Sequence, residues 1–251
     1  LTELYQVGGA QAIAALSLGT DTIRPVSKIF GPGNQYVTAA KQYALQTTGV
    51  AVDLPAGPSE VLVVADDSAN PNFVAADLLS QAEHGVDSQV ILLSDSEALI
   101  TKVVDAIQTQ LESLSRKDLA SQVIDNSVAV LTADLEQAIS ISNDYAPEHL
   151  IIACQDVENL KSLVTNAGSV FLGYYTPESL GDYASGANHT LPTGGSARAY
   201  SGVSLESFQK VVTFQSASEK GLRDIAPVVE CMALAEGLDA HAKAVAVRFG
   251  R

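Results

Sequence analysis

Basic side chains are scarce in this 251-residue sequence: 14 Lys and Arg stand against 29 Asp and Glu, giving a formal net charge of −15 and a pI near 4.5. Nucleic acids are held by neutralising phosphates with cations, and an acidic chain with a few scattered basic residues has no stripe to do so, which excludes nucleic acid as a partner. Long hydrophobic runs are missing too. The longest, such as Val61 to Ala65 and Val90 to Leu93, fall far short of the roughly 20 residues that cross a bilayer, so no membrane segment is expected. Cysteine is limited to Cys154 and Cys231, both in apolar sequence surroundings. Two such residues make no disulfide framework, and both are expected in the core of a protein from a reducing cytoplasm. The opening residues, Leu1-Thr2-Glu3-Leu4-Tyr5, carry neither a basic n-region nor an initiator Met, which predicts no signal peptide and a chain that starts within a longer protein. What is plentiful is apolar residue, 47% against 17% charged, enough to bury a sizeable core.

Short apolar runs alternate with longer helical patterns, the order of a parallel α/β sheet. Strands are expected at 28–30, 50–52, 60–65, 89–93, 128–131, 149–152 and 169–172. Helices are expected near 10–16, 34–46, 70–84, 96–114 and 134–144, the third opening on Asn70-Pro71, an N-cap followed by proline at the first helical position. The first two strands and the helix between them read as one half of a nucleotide-binding βαβ unit. Ser185 to Gly202 is too polar and Gly-rich for a regular element and too long for a plain connector. From Leu205 to Arg251 the sequence reads as helical, broken at Gly237. The fold class expected is α/β, with incomplete Rossmann-like parallel-sheet domains and a small C-terminal helical unit.

Histidine is sparse and placed: His84, His149, His189 and His241 each lie near an acid or amide. Gln81 and His84, three apart on a predicted helix, project from one face near its C-terminal end. They suit an open metal site with mixed N and O ligands, or equally a glutamine on a backbone carbonyl and a histidine ending the helix. Glu148 and His149 open a predicted strand after the turn Asp144-Tyr145-Ala146-Pro147 and could divide proton abstraction and water activation. Neighbours on a regular strand face opposite ways, so joint action needs an irregular backbone there, and the preceding proline favours one. The turn Phe30-Gly31-Pro32-Gly33-Asn34 leads a strand into a helix N-terminus, a place that offers free N–H groups to a phosphate, or it is a tight turn only. In Pro55-Ala56-Gly57-Pro58-Ser59-Glu60 the Ser59 hydroxyl stands at a strand mouth, for a polar substrate or as a cap.

Together these stretches resemble histidinol dehydrogenase. Similar in kind and order are Val7-Gly8-Gly9-Ala10-Gln11-Ala12-Ile13-Ala14-Ala15, Phe30 to Asn34, Pro55 to Glu60, Leu78 to Gly85, Pro147-Glu148-His149-Leu150, Gly181-Asp182-Tyr183 with Gly186 to His189, and Glu236-Gly237-Leu238 before His241. The resemblance runs through essentially the whole chain. It implies a zinc enzyme that oxidises L-histidinol through L-histidinal to L-histidine with two NAD in succession, the last chemistry of histidine biosynthesis. It implies zinc ligands Gln81, His84, Asp182 and His241, with the ion orienting the substrate's imidazole and amine, so that these four residues also bind substrate. His149 would be the base that takes the hydroxyl proton and Glu148 would activate the water that hydrates the aldehyde. Ser59, His189 and Glu236 would line the substrate pocket, while Gln11 and Asn34 would contact NAD. The family's longer N-terminal portion is absent from this sequence. Residues 1–58 would then be the rear half of a nucleotide-binding domain, 59–203 the zinc and substrate domain, and 204–251 a helical dimerisation tail. That tail would exchange between subunits of a homodimer with shared sites. Two other readings stay open: a paralogous zinc and NAD dehydrogenase acting on another small polar alcohol, and a non-catalytic metal-binding fragment.

Overall fold

The computed structural model describes residues 2–54 and 57–251. Leu1, at the start of the chain, and Pro55 and Ala56, in the second glycine-proline turn, lie outside the described residues. Two compact units form, Leu1–Phe208 and Gln209–Arg251.

The first unit begins with α1 (Gly9–Leu18), β1 (Lys28–Ile29), α2 (Gln35–Thr48) and β2 (Ala51–Val52). β1 and β2 pair in parallel, with α2 between them in sequence. Ile13, Ile29, Ala44 and Val50 make its small core. A larger run follows: β3 (Glu60–Ala65), α3 (Pro71–Ala82), β4 (Gln89–Ser94), α4 (Glu97–Leu111), α5 (Lys117–Asp125), β5 (Val128–Leu131), α6 (Leu135–Tyr145), β6 (His149–Ala153), α7 (Val157–Leu163), β7 (Ser169–Leu172) and α8 (Glu178–Tyr183). All five strands are parallel in the order β5-β4-β3-β6-β7. That is the strand order of a doubly wound dinucleotide-type sheet, which reverses direction of growth between β3 and β6.

The central strands are apolar along their whole length because both faces are covered. Val61, Val63, Ile151 and Phe171 pack with α3, α4 and α5 on one face; Leu62, Val64, Leu150 and Ile152 pack with α6 and α7 on the other. Helix starts are set by side-chain caps, Asn70 before Pro71 at α3 as its sequence predicts, and Asp134 at α6.

Several expectations are corrected. The third helix ends at Ala82 rather than His84, so His84 sits in the turn beyond it. The fourth stops at Leu111, and α5, α7 and α8 are short helices that the sequence reading left out. The tail is not helical from Leu205. A single 3-10 turn covers Leu205–Phe208, and regular helix resumes only at α9 (Glu219–Ala235), capped by Ser218, with α10 (Asp239–Ala246) after a break at Gly237. Cys154 lies in the core, but Cys231 is exposed on α9, so only one of the two cysteines is a core residue. Burial raises the Cys154 thiol to about 12, which makes it inert. Among the described residues no helix is long and apolar enough to cross a membrane.

Candidate active site

The central strands β3 and β6 start with Glu60 and His149, and the residue before β6 is Glu148. The Glu60 N–H donates to Glu148 Oε2 at 2.9 Å. Nδ1 of His149 lies 3.0 Å from the Glu60 carbonyl oxygen. A carbonyl only accepts, so Nδ1 carries the hydrogen and Nε2 keeps its lone pair. Nε2 is buried without a hydrogen-bond partner, 3.9 Å from Asp182 Oδ1. Burial lowers the His149 pKa, which keeps the ring neutral. Glu148 Oε2 is 3.6 Å from His149 Nδ1, and burial pushes the Glu148 carboxyl up to about 8. Ala146, at φ 57, turns left-handed at the end of α6 and Pro147 follows, so the backbone leading into this pair is irregular.

His149 belongs to the strand face covered by α3, where its ring packs 5.9 Å from that of Phe171. The same face carries α8, brought in closely by Gly181: a Cβ there would stand 2.6 Å from the Phe171 ring. Asp182 and Glu178 are thereby set beside His84, and donor atoms of these three all lie within 4.8 Å of one another. Gln81, one turn before His84, is 0% exposed, and neither atom of its carboxamide has a partner. A buried unpaired amide costs about 1–3 kcal/mol, so it signals an interaction left unmade. Imidazole, carboxylate and amide form a mixed N/O donor set that fits zinc with further positions open.

His84, Asp182, Glu148 and His149 line a cavity of about 340 Å³ with Ser59, His189 and the turn residues Pro32 and Gly33. The glycine-proline turn after β1 therefore faces the same space as Glu148, His149, His84 and Asp182. Among the described residues lining it there is no Lys or Arg. Of the other residues singled out in the sequence, Gln11 is exposed on α1 and Asn34 uses its side-chain oxygen to cap α2. Glu236 and His241 are exposed in the second compact unit.

Three acids escaped the sequence reading. Glu178 is 1% exposed, and burial raises it to about 9. Glu60 is likewise raised by burial, offset in part by the Gly194 N–H that its Oε1 accepts at 2.8 Å. Asp77 is pushed by burial to about 7. Asp77, Gln81 and His84 form an i, i+4, i+7 stripe that is readable in the sequence. Glu178 stands four before Asp182, but only on a six-residue helix with Gly181 inside it, too short to be recognised.

The family model described as histidinol dehydrogenase matches residues 1–249. A histidinol dehydrogenase of Xylella fastidiosa (strain Temecula1) is 58% identical over 250 residues, covering 100% of this chain and 58% of the relative. That of Colwellia psychrerythraea (strain 34H) is 58% identical over 250 residues, 99% of this chain and 58% of the relative. The crystal structure of histidinol dehydrogenase from Elizabethkingia anophelis superimposes with a TM-score of 0.95 at 57% identity, covering 100% of this chain and 57% of that one. The chain thus spans a little under three-fifths of the length of these relatives.

Proposed function

Because the chain belongs to the histidinol dehydrogenase family, we propose that the protein it forms part of oxidises L-histidinol through L-histidinal to L-histidine, with zinc and NAD. The carrying observation is the single cavity in which the turn at Pro32 and Gly33 meets Ser59, His84, Glu148, His149, Asp182 and His189. A lining of acids and imidazoles without a cation suits a substrate bearing an amine and an imidazole, and argues against an anionic diol.

Gln81, His84 and Asp182, with His241 from a second subunit, would hold the zinc. When bound, zinc supplies an anchor for the substrate's imidazole and amine, and NAD supplies the acceptor for each hydride. His149 Nε2, free and unprotonated, would take the hydroxyl proton as the alcohol is oxidised. Glu148, once ionised, would take a proton from the water that adds to the aldehyde, preparing the second oxidation. Ser59, His189 and Glu236 would orient the substrate, while Gln11 and Asn34 would contact NAD beside the turn.

A homodimer with exchanged tails is supported by α9, where Ile225, Val228 and Met232 are more than half exposed at i, i+3 and i+7. An apolar stripe of that kind needs a partner. The test uses the full-length, zinc-loaded protein. Each L-histidinol consumed should yield two NADH and one L-histidine; a stoichiometry of one, with aldehyde released, would defeat the four-electron reading.

A further inference from the structure

β2 leads into an acid, Asp53, 22 residues after Gly31. In dinucleotide-binding βαβ units the acid about 20 residues past the glycine turn reaches out to the cofactor's ribose. Here it is turned inward. Asp53 Oδ2 accepts the Gly31 N–H at 2.8 Å, and Oδ1 is paired with the ammonium of Lys41 from the middle of α2. Lys41 Nζ in turn donates to the Gly31 carbonyl at 3.0 Å and to the Leu54 carbonyl at 3.5 Å. The N–H and the C=O of one glycine are thus held by opposite members of one ion pair. The two groups contribute to the wall of a cavity of about 290 Å³ between α2 and β2, yet their side chains are only 6% and 1% exposed. That leaves no carboxylate surface for a ribose hydroxyl.

Burying an ion pair costs desolvation, and an apolar pair of similar volume is commonly as stable. A pair kept in that position points to a geometric use. What it fixes is the turn: Gly31 has φ +138, and two residues later the Gly33 carbonyl comes within 2.6 Å of where a Cβ on Gly57 would stand. The turn after β1 is therefore seated directly against the turn that carries Ser59, and both line the cavity of His149.

We propose that Lys41 and Asp53 are positioning residues for the cofactor, clamping both sides of the Gly31 peptide so that the 31–34 turn presents NAD to the His149 cavity. The proposal rests on the reading of that turn as the NAD-docking segment. It also means that Asp53, despite its position, does not read the ribose and does not discriminate NAD from NADP.

The test uses the full-length zinc protein and its Lys41→Met, Lys41→Arg and Asp53→Asn variants. Measured are the dissociation constants for NAD and NADP, that for histidinol without NAD, zinc content, and amide exchange at Gly31. Lys41→Met and Asp53→Asn should each weaken NAD by about tenfold or more, as misplacement of a binding group does. The NAD to NADP ratio should not move, Gly31 should exchange faster, and zinc content and histidinol affinity should hold. Lys41→Arg should recover most of the loss. If either single variant fails to fold, the Lys41→Met/Asp53→Leu pair replaces the ions by apolar groups and carries the same measurements. NAD affinity within twofold of the parent in variants whose Gly31 amide is released would overturn the proposal. So would a gain of NADP binding in Asp53→Asn that Lys41→Met lacks, since Asp53 would then be the ribose reader. A parent that binds zinc and histidinol and protects Gly31, yet binds no NAD, overturns instead the reading of the turn as a cofactor site.

Discussion

At the N-terminal edge of the five-stranded sheet, β3 and β6 bring Glu60, Glu148 and His149 together, while at the C-terminal edge the same strands run out into Asp66 and Gln155, joined by a 2.8 Å bond from the Gln155 N–H to Asp66 Oδ2. Sheets of this strand order ordinarily bind ligands at the C-terminal edge, in the crevice where the order reverses. Here that place lies between β3 and β6, whose ends the Asp66 bond joins, and the cavity of about 440 Å³ beside it is lined by Asp95, Asp134, Glu136 and Asp156. Its surroundings are also wrong for a phosphate: Asp95 is raised by burial and by the nearby charges of Asp66, Asp67 and Asp134. The acids at this edge are occupied with local structure. Asp134 caps α6, Asp156 caps α7 and Asp66 holds the Ser68 N–H. The other edge is the reverse. Among the described residues, seven buried side-chain polar atoms have no partner, and five of them belong to Glu60, Gln81, His149 and Glu178. Unmade bonds gathered at one edge mark where an external ligand completes the structure. The sheet keeps the doubly wound order, and its unpartnered buried polar groups gather at the end opposite the usual ligand crevice.

The largest effect that sharpens this contrast is expected at His149. His149→Ala in the full-length enzyme should slow oxidation of histidinol by about 10² to 10⁴, the usual cost of losing a general base. Supplied with histidinal instead, the same variant should be affected less, whereas Glu148→Gln should mainly depress the aldehyde step. A pH profile separates the pair further. Glu148 acts as a base only when ionised, and burial raises it to about 8. The aldehyde step should therefore gain rate as pH rises through about 8, and Glu148→Gln should remove that limb. Equal, small losses in both variants would return the pair to a structural role and leave the N-terminal edge no more functional than the other.

A smaller effect concerns Gln81. If its buried amide lacks a partner until metal binds, Gln81→Met should raise the stability of the metal-free protein by about 1 kcal/mol or more while keeping volume. Zinc should then give little of the upward shift in unfolding temperature that it gives the parent, since binding to the native state is what produces that shift. A metal-free Gln81→Met protein less stable than the parent would show that the amide is already satisfied.

Much of this edge was legible in the sequence because its residues are rare types in short motifs. Gln81 and His84, three apart in sequence, and Glu148-His149 behind a proline stood out as candidates without tertiary information, each with an ordinary structural explanation beside it. The parallel sheet was legible from uninterrupted apolar runs such as Val61 to Ala65, which only a strand covered on both faces permits. Glu178 was not legible, since its burial depends on how Gly181 lets α8 approach Phe171, a contact between segments with no shared periodicity. Lys41 and Asp53 look like ordinary surface charges on an amphipathic helix and a strand end, and only the folded turn shows them pointing at Gly31. The exposure of Cys231 and the non-helical stretch before α9 went unread because an apolar, small-residue sequence looks the same whether its own core covers it or nothing in its chain does.

The smallest effect belongs to the C-terminal edge and is the one best able to break the contrast. Asp66→Ala removes the acceptor for the Gln155 N–H and for Ser68, loosening the joint between the ends of β3 and β6. Gln155 is exposed, so water can replace the lost carboxylate, and the cost should lie near about 1 kcal/mol, a few degrees in unfolding temperature. The six residues of β3 rise about 3.3 Å each, which separates the two edges by roughly 17–20 Å. Perturbations that far apart without shared partners combine additively. The variant should therefore keep kcat and the KM values for histidinol and NAD within about twofold of the parent, even though its stability falls. A tenfold loss of NAD affinity in Asp66→Ala, with zinc content and histidinol binding intact, would mean that the C-terminal crevice takes the dinucleotide after all. The turn at Gly31 would then lose its role, and the two edges would share the work that the buried unpaired groups assign to one.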